Sequence, residues 1–160
     1  MRTIDKRVCA QIEGPFVLFL IGARINRLWK PHKWIPFIGT MPKMLKELAA
    51  ERDLGLLHAE SYIALPSVVV MQYWRSFDAL EAYARDKARE HQPAWAWFNK
   101  ALGSNGDIGI WHETYQIQPG AYESVYNNMP PFGLGAAGTL VDAVGARQEA
   151  RQRMKAAAAA

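Results

Sequence analysis

Two stretches of this chain, FVLFLIGAR (16–24) and the opening of VVVMQYWR (68–75), are apolar at both odd and even positions. A strand with one face in water alternates, whereas a strand apolar on both parities is covered on both faces. These two segments therefore belong in the middle of a sheet, with other elements above and below.

The remaining segments arrange themselves around that pair. LLHAESYIAL (56–65) alternates, with Leu57, Ala59, Ser61 and Ile63 on one side and Leu56, His58, Glu60 and Tyr62 on the other, as suits a strand nearer an edge. IGIWHETYQIQ (108–118) alternates enough for a fourth strand. Between the first two strands, Thr40 is the expected cap of a helix whose stripe is Met41, Met44, Leu45 and Leu48, with Pro42 tolerated in its first turn. After the third strand, Ser76 is the expected cap of a second helix with Phe77, Leu80, Tyr83 and Ala84 inward. His91-Gln92-Pro93 interrupts it, a further turn runs through Trp95, Phe98 and Leu102, and residues 103–107 form a turn.

The order strand-helix-strand, strand-helix-strand is the split βαβ arrangement of ferredoxin-like folds, an α+β class with an antiparallel sheet. Its first and third strands are central, and here those two are the doubly apolar ones. The 160 residues suit one domain, with a core over 14–118. Residues 1–14 read as an extended arm, and 25–39, with two prolines and two tryptophans, as a structured loop. The Gly/Pro-rich stretch 119–138 reads as an ordered flap, and 139–160 as a helical tail whose closing alanines carry no informative chemistry.

Several classes are excluded. The net charge of +4 and pI near 9.3 come from a cluster after the first strand (Arg24, Arg27, Lys30, Lys33, Lys43, Lys46) and from the tail. No groove-reading motif accompanies them, so no nucleic-acid partner is expected. A single cysteine, Cys9, rules out an intrachain disulfide and a cysteine-based zinc cluster, and fits a reducing cytoplasm. The N-terminus has no apolar signal core, and the longest apolar run, Phe16 to Ile21, is far short of the roughly 20 residues that span a bilayer. The expectation is a cytoplasmic protein with no membrane partner. GLGAAG (133–138) follows Met129-Pro130-Pro131 rather than a strand, so it is not read as a nucleotide site.

In this order, WRSFDALEAYARD followed by His91 resembles the third-strand and second-helix signature of the dimeric α+β barrel superfamily. The segments FLIGARINRLWKPHKW, VVMQYWRSFDALEAYARD, NGDIGIWHETY and GAYESVYNNMPPFGLG together resemble one uncharacterised monooxygenase-like family within it, over roughly residues 14–138. The superfamily also holds antibiotic-biosynthesis monooxygenases, haem-degrading oxygenases and aldoxime dehydratases. The resemblance implies a homodimer whose sheets associate face to face, with a pocket in each subunit between sheet and helices. Some members oxygenate aromatic substrates without metal or flavin; others hold haem through a His on the second helix. Trp74, Ser76, Tyr83 and His91 occupy places comparable to the haem-degrading branch. His91 arrives about two residues early and beside a proline, a slip that turns a helical side chain by roughly 200°.

Each candidate has two readings. His91 caps helix carbonyls, or it is a base or haem ligand. His112 faces away from Trp111, Glu113 and Tyr115, and is either a base toward a substrate phenol or a hydrogen-bonded residue at the dimer seam. Trp74 and Tyr83 are core, or they line the pocket. Arg24 orients an acidic substrate group, or is an exposed strand-end residue. His58 and His112 lack a third ligand at a readable spacing, so no metal site is expected. The leading expectation is a cofactor-free monooxygenase-like homodimer acting on a small hydrophobic, aromatic or polyketide-like molecule. In it His112 or His91 is the base, Tyr83 belongs to the catalytic set, and Trp74, Trp111 and Tyr115 help to line the pocket. The alternatives on the same fold are a haem protein with His91 or His112 as axial ligand, and a non-catalytic small-molecule-binding dimer.

Overall fold

Strands β2 (Phe16–Ile25), β3 (Leu56–Ala64), β4 (Ser67–Trp74) and β5 (Ile108–Ile117) form an antiparallel sheet in the order β3-β4-β2-β5. The two strands apolar on both parities are the central pair, and the alternating ones are the edges. The computed structural model describes residues 2–91, 96, 98–100 and 105–159. Across the central pair Val17 stands opposite Trp74, Phe19 opposite Gln72 and Ile21 opposite Val70. On the other flank of β2, Phe19 meets Thr114 and Ile21 meets His112. Directly opposed residues share a face, so this register sorts every side chain of the sheet.

One face carries the helices α1 (Pro31–Ile38), α2 (Thr40–Ala50) and α3 (Phe77–Arg85). Val17, Leu48, Trp74, Leu80 and Tyr83 form a buried cluster there, and Ala23, Phe98 and Ile108 form another with Trp34 against it. Helix α3 starts where the sequence predicts, with Ser76 Oγ accepting the Ala79 N–H at 3.1 Å. Phe77 is exposed, so the inward stripe is Leu80 and Tyr83. The helix is also shorter than expected. Asp86 Oδ1 takes the Ala88 N–H, and Arg89 reaches Glu51 at 2.6 Å, which turns the chain away at Arg85.

The N-terminal segment is no arm. Residues Ile4–Gln11 form β1, the middle strand of a second sheet in the order β6-β1-β7, with β6 (Tyr126–Met129) and β7 (Thr139–Asp142). The stretch read as a flap is built into this sheet. Tyr122 accepts the Ile12 N–H at 2.9 Å, Ser124 accepts the Ala10 N–H at 2.9 Å, and a short helix α4 (Leu134–Ala137) packs alongside. The tail is helical in part: after β7 it makes a 3-10 turn at Gly145–Arg147 and then the helix α5 (Ala150–Ala157). Its alanines matter: Ala157 is buried with Ala10, Ile12, Phe16, Tyr73, Tyr122 and Leu134, and Gly120, at φ +79°, leaves no room for a Cβ beside Ala158.

Residues 31–38 are a helix rather than a loop because Pro31 falls at the first helical position, where a missing N–H costs nothing. Gly39 continues in right-handed helical geometry, so it takes the cap position of α2 that the sequence suggested for Thr40. The second sheet packs on Phe16, Leu18, Met71, Tyr73 and Ile117, the side of the main sheet away from α1–α3. The chain itself therefore covers part of the face that the resemblance allotted to a second copy.

Candidate functional site

The period-two rule divides β5 between the two faces. Ile108, Ile110, His112 and Thr114 face the helices; Trp111, Glu113, Tyr115 and Ile117 face the other way. His112 stands opposite Ile21, and its imidazole lies 5.7 Å from the Phe19 ring, centroid to centroid. It is exposed, and neither ring nitrogen has a hydrogen-bond partner among the described residues.

Deeper on the same face, Trp74 is 1% exposed, and its Nε1–H donates to Gln72 Oε1 at 2.8 Å. That bond fixes which way the buried Gln72 amide points. Its N–H₂ group then has no partner among the described residues, on the strand directly opposite Phe19. Gln72 escaped the sequence reading, where it stood inside an apolar strand; its even spacing with Val70 and Trp74 was the available signal.

Tyr83 lies 5.9 Å from Trp74, and its hydroxyl donates to Glu47 Oε2 at 2.8 Å. Burial first, and then the Glu47 carboxylate, push this phenol well above its ordinary pKa of 10.0. A phenol held protonated and already donating is not a base. His91 sits 6.3 Å from Tyr83 and beyond the end of α3, so the helical-slip argument does not govern it. Its Nδ1 is 2.9 Å from the Ala84 carbonyl oxygen. A carbonyl only accepts, so Nδ1 carries a proton, and in the neutral ring Nε2 is the nitrogen with the lone pair.

His112, Phe19, Gln72, Trp74, Tyr83 and His91 thus lie on one face. Trp111, Tyr115 and Arg24 do not. Trp111 lies across Gly22, where a Cβ would meet the indole at 2.6 Å. Tyr115 donates to Glu113 at 2.7 Å and lines an open hollow of about 520 Å³ with Leu18, Leu20 and Ile117. Arg24 is exposed at the strand end and bonded to Asn26. A pocket containing both His112 and the Trp111/Tyr115 pair is therefore corrected: odd and even positions of one strand cannot share it. A second hollow, about 180 Å³, lies at the junction of the two sheets, beside Ile12, Phe16, Arg75 and Gly138. Of the further turn expected through Trp95, Phe98 and Leu102, Trp95 and Leu102 lie outside the described residues, as does Trp97. Among the described residues no three His, Cys, Asp or Glu gather as metal ligands, and no helix is long and apolar enough to cross a membrane.

An α+β fold with a four-stranded antiparallel sheet of ferredoxin-like order, and a titratable aromatic face under its helices, defines the class. Within that class the chain belongs to the monooxygenase af470-like family, whose model matches residues 16–134. Monooxygenase af470 of Aspergillus fumigatus is 24% identical over 132 residues, 77% of this chain and 46% of that protein. An aldoxime dehydratase crystallised with butyraldoxime superposes with a TM-score of 0.69 at 16% identity, over 84% of this chain and 42% of the other. That likeness is one of fold. SnoaB, a cofactor-independent oxygenase from Streptomyces nogalater, aligns over 64% of this chain and 93% of its own, with a TM-score of 0.46 and 12% identity. The chain spans less than half the length of the fungal monooxygenase and of the dehydratase.

Proposed function

We propose that the chain is a monooxygenase-like enzyme that oxygenates a small hydrophobic, aromatic or polyketide-like molecule on the helix side of its sheet, without metal or flavin. The observation that carries this reading is the imidazole of His112, which has no hydrogen-bond partner among the described residues. Tyr83 is committed to Glu47 and His91 Nδ1 to Ala84, whereas both nitrogens of His112, beside the Phe19 ring, are without a partner among the described residues. A general base has to be within reach of the proton it takes, and available to take it.

In this proposal an activated CH₂ group or phenol loses its proton to His112, and the resulting anion lies against Phe19 and Ile21. The anion reduces O₂; a CH₂ group becomes a carbonyl, one oxygen atom enters the product, and the other leaves as water with the two hydrogens. The Gln72 N–H₂ donates to the developing oxyanion. Strands β4 and β5 are two inter-strand steps apart, about 10 Å, a span that a fused aromatic ring system bridges. The test is an oxygen electrode with phenolic and anthrone-like substrates under chelation. His112→Ala is expected to lower the uptake about 100-fold or more, and an unchanged rate would refute the assignment.

The proposal includes a homodimer. On the open face Trp111 is 37% and Tyr115 48% exposed, beside the half-buried Leu18 and Leu20. A second copy laid there would cover them.

One observation favours a second reading, a haem protein. His91 has the donor chemistry of an axial ligand: Nδ1–H bonded to a carbonyl, which in the neutral ring puts the lone pair on Nε2. His91 would hold the iron and Tyr83 would stand beside it; haem, when bound, supplies a Lewis-acidic, redox-active iron. Hemin titration separates the readings. A Soret band that His91→Ala abolishes supports haem, and a spectrum identical to free hemin removes it.

A further inference from the structure

Between Glu13 and Glu47 the chain has six Lys and Arg residues and no carboxylate. The fold leaves Lys43 and Lys46 of these on the solvent side of α2. Because Gly39 keeps helical geometry, α1 and α2 follow one another almost without a break. Trp34, Ile38, Met41, Met44, Leu45 and Leu48 turn inward, while His32, Ile35, Pro36, Lys43 and Lys46 face solvent at spacings of three and four. Trp34 Nε1 donates to the Leu28 carbonyl at 3.1 Å and ties the preceding turn to the helix. That turn presents Trp29, 74% exposed, and Leu28, and Ile35 on the first helix is 57% exposed.

Scattered apolar side chains on a surface need no explanation. Here three stand within eight residues, one of them tryptophan, in a stretch whose only nearby charged side chains before Glu47 are cations. Asp107 offsets Arg27 and Lys30, at 2.9 and 3.1 Å. Lys33 adds its charge at Asp107, whereas Lys43 and Lys46 have no carboxylate within ion-pair distance among the described residues. Cations flanking Trp and Ile on the solvent side of a helix are the pattern of a surface that lies on an anionic bilayer, with rings at headgroup depth. A nucleic-acid backbone would use the lysines but give Ile35 and Leu28 nothing to bury against.

We infer that residues 28–46 form an interfacial docking surface for an anionic phospholipid membrane. The expectation of no membrane partner was drawn from the lack of a spanning segment, and peripheral docking requires none. The inference goes beyond the proposed reaction and does not depend on it.

The test is co-sedimentation of the full chain with vesicles of equimolar phosphatidylcholine and phosphatidylserine, against vesicles of phosphatidylcholine alone. The protein is expected to pellet with the anionic vesicles only and to be released near 1 M salt, where the screening length is about 3 Å. Lys43→Gln with Lys46→Gln lowers the partition coefficient about 20-fold, close to fivefold per cation. Trp29→Ser with Ile35→Ser lowers it as well, with an unchanged melting curve. The wild-type salt series needs no variant and decides the matter if either pair folds poorly. Absence from the anionic pellet, equal binding to neutral vesicles, wild-type binding by both pairs, or retention by duplex DNA in place of vesicles overturns the inference.

Discussion

The Tyr83 hydroxyl donates to Glu47 Oε2 at 2.8 Å, joining α3 to α2 above the Trp74 ring, and the same carboxylate oxygen receives the Glu90 N–H at 3.2 Å. Arg89 closes the group, 3.6 Å from Glu47 and 2.6 Å from Glu51. This network holds the helices on the sheet. Tyr83→Phe should therefore cost about 1–3 kcal/mol, read as a lower urea midpoint with an unchanged slope. Turnover per folded molecule should stay the same; a large loss at constant stability would return Tyr83 to the reacting groups.

Alkaline pH tests the same region. The phenol of Tyr83 is raised by burial and Glu47, and that of Tyr73 is pushed up to about 12, mainly by burial. Both hold their protons more tightly folded than unfolded, where the ordinary value is 10.0. Their contribution is complete below pH 10 and is lost as pH rises toward the folded values. Melting temperatures measured on either side of pH 10 should fall with increasing pH, and tyrosinate absorbance should show the buried phenols ionising above the ordinary 10.0.

Asp107 gives the opposite limb. A hydrogen bond from Lys30, then the charges of Lys30, Arg27 and Lys33, hold its carboxyl below the ordinary 3.8. Its contribution is present above that value and is lost as pH falls through the lower folded one. Asp107→Asn should thus melt below the wild type at neutral pH, and the two curves should converge in acid. Parallel curves down to low pH would show that Asp107 does not anchor the 26–30 turn.

How much of this was legible beforehand depends on the range of the forces involved. β2 and β4 could be read because each is covered on both faces, and composition records that directly. Ser76 could be read because a cap is a local bond. β1 could not: its partners, Tyr126–Met129 and Thr139–Asp142, lie more than a hundred residues away, and its polar first half mimics an arm. The helix 31–38 was hidden by Pro31 and Pro36. For the site, alternation separated His112 from Trp111 and Tyr115, but no rule internal to β5 says which face the helices take.

The open face yields a prediction about assembly. Trp111→Arg places a charge among Leu20, Tyr115 and Gly22, where the proposed second copy would sit. Sedimentation velocity should find the wild type as a dimer and the variant as a monomer with a nearly unchanged melting temperature. Identical sedimentation of the two proteins would remove this face as the seam.

The central claim is that chemistry belongs to the helix side of the sheet, at His112. The most direct measurement is oxygen consumption by chelator-treated, colourless protein with a phenolic or anthrone-like substrate, comparing His112→Asn with Tyr115→Phe across pH. The account predicts that His112→Asn loses about 100-fold or more together with the limb of the pH profile that reports the base, while Tyr115→Phe keeps both. Loss of uptake in Tyr115→Phe with His112→Asn unaffected would contradict it.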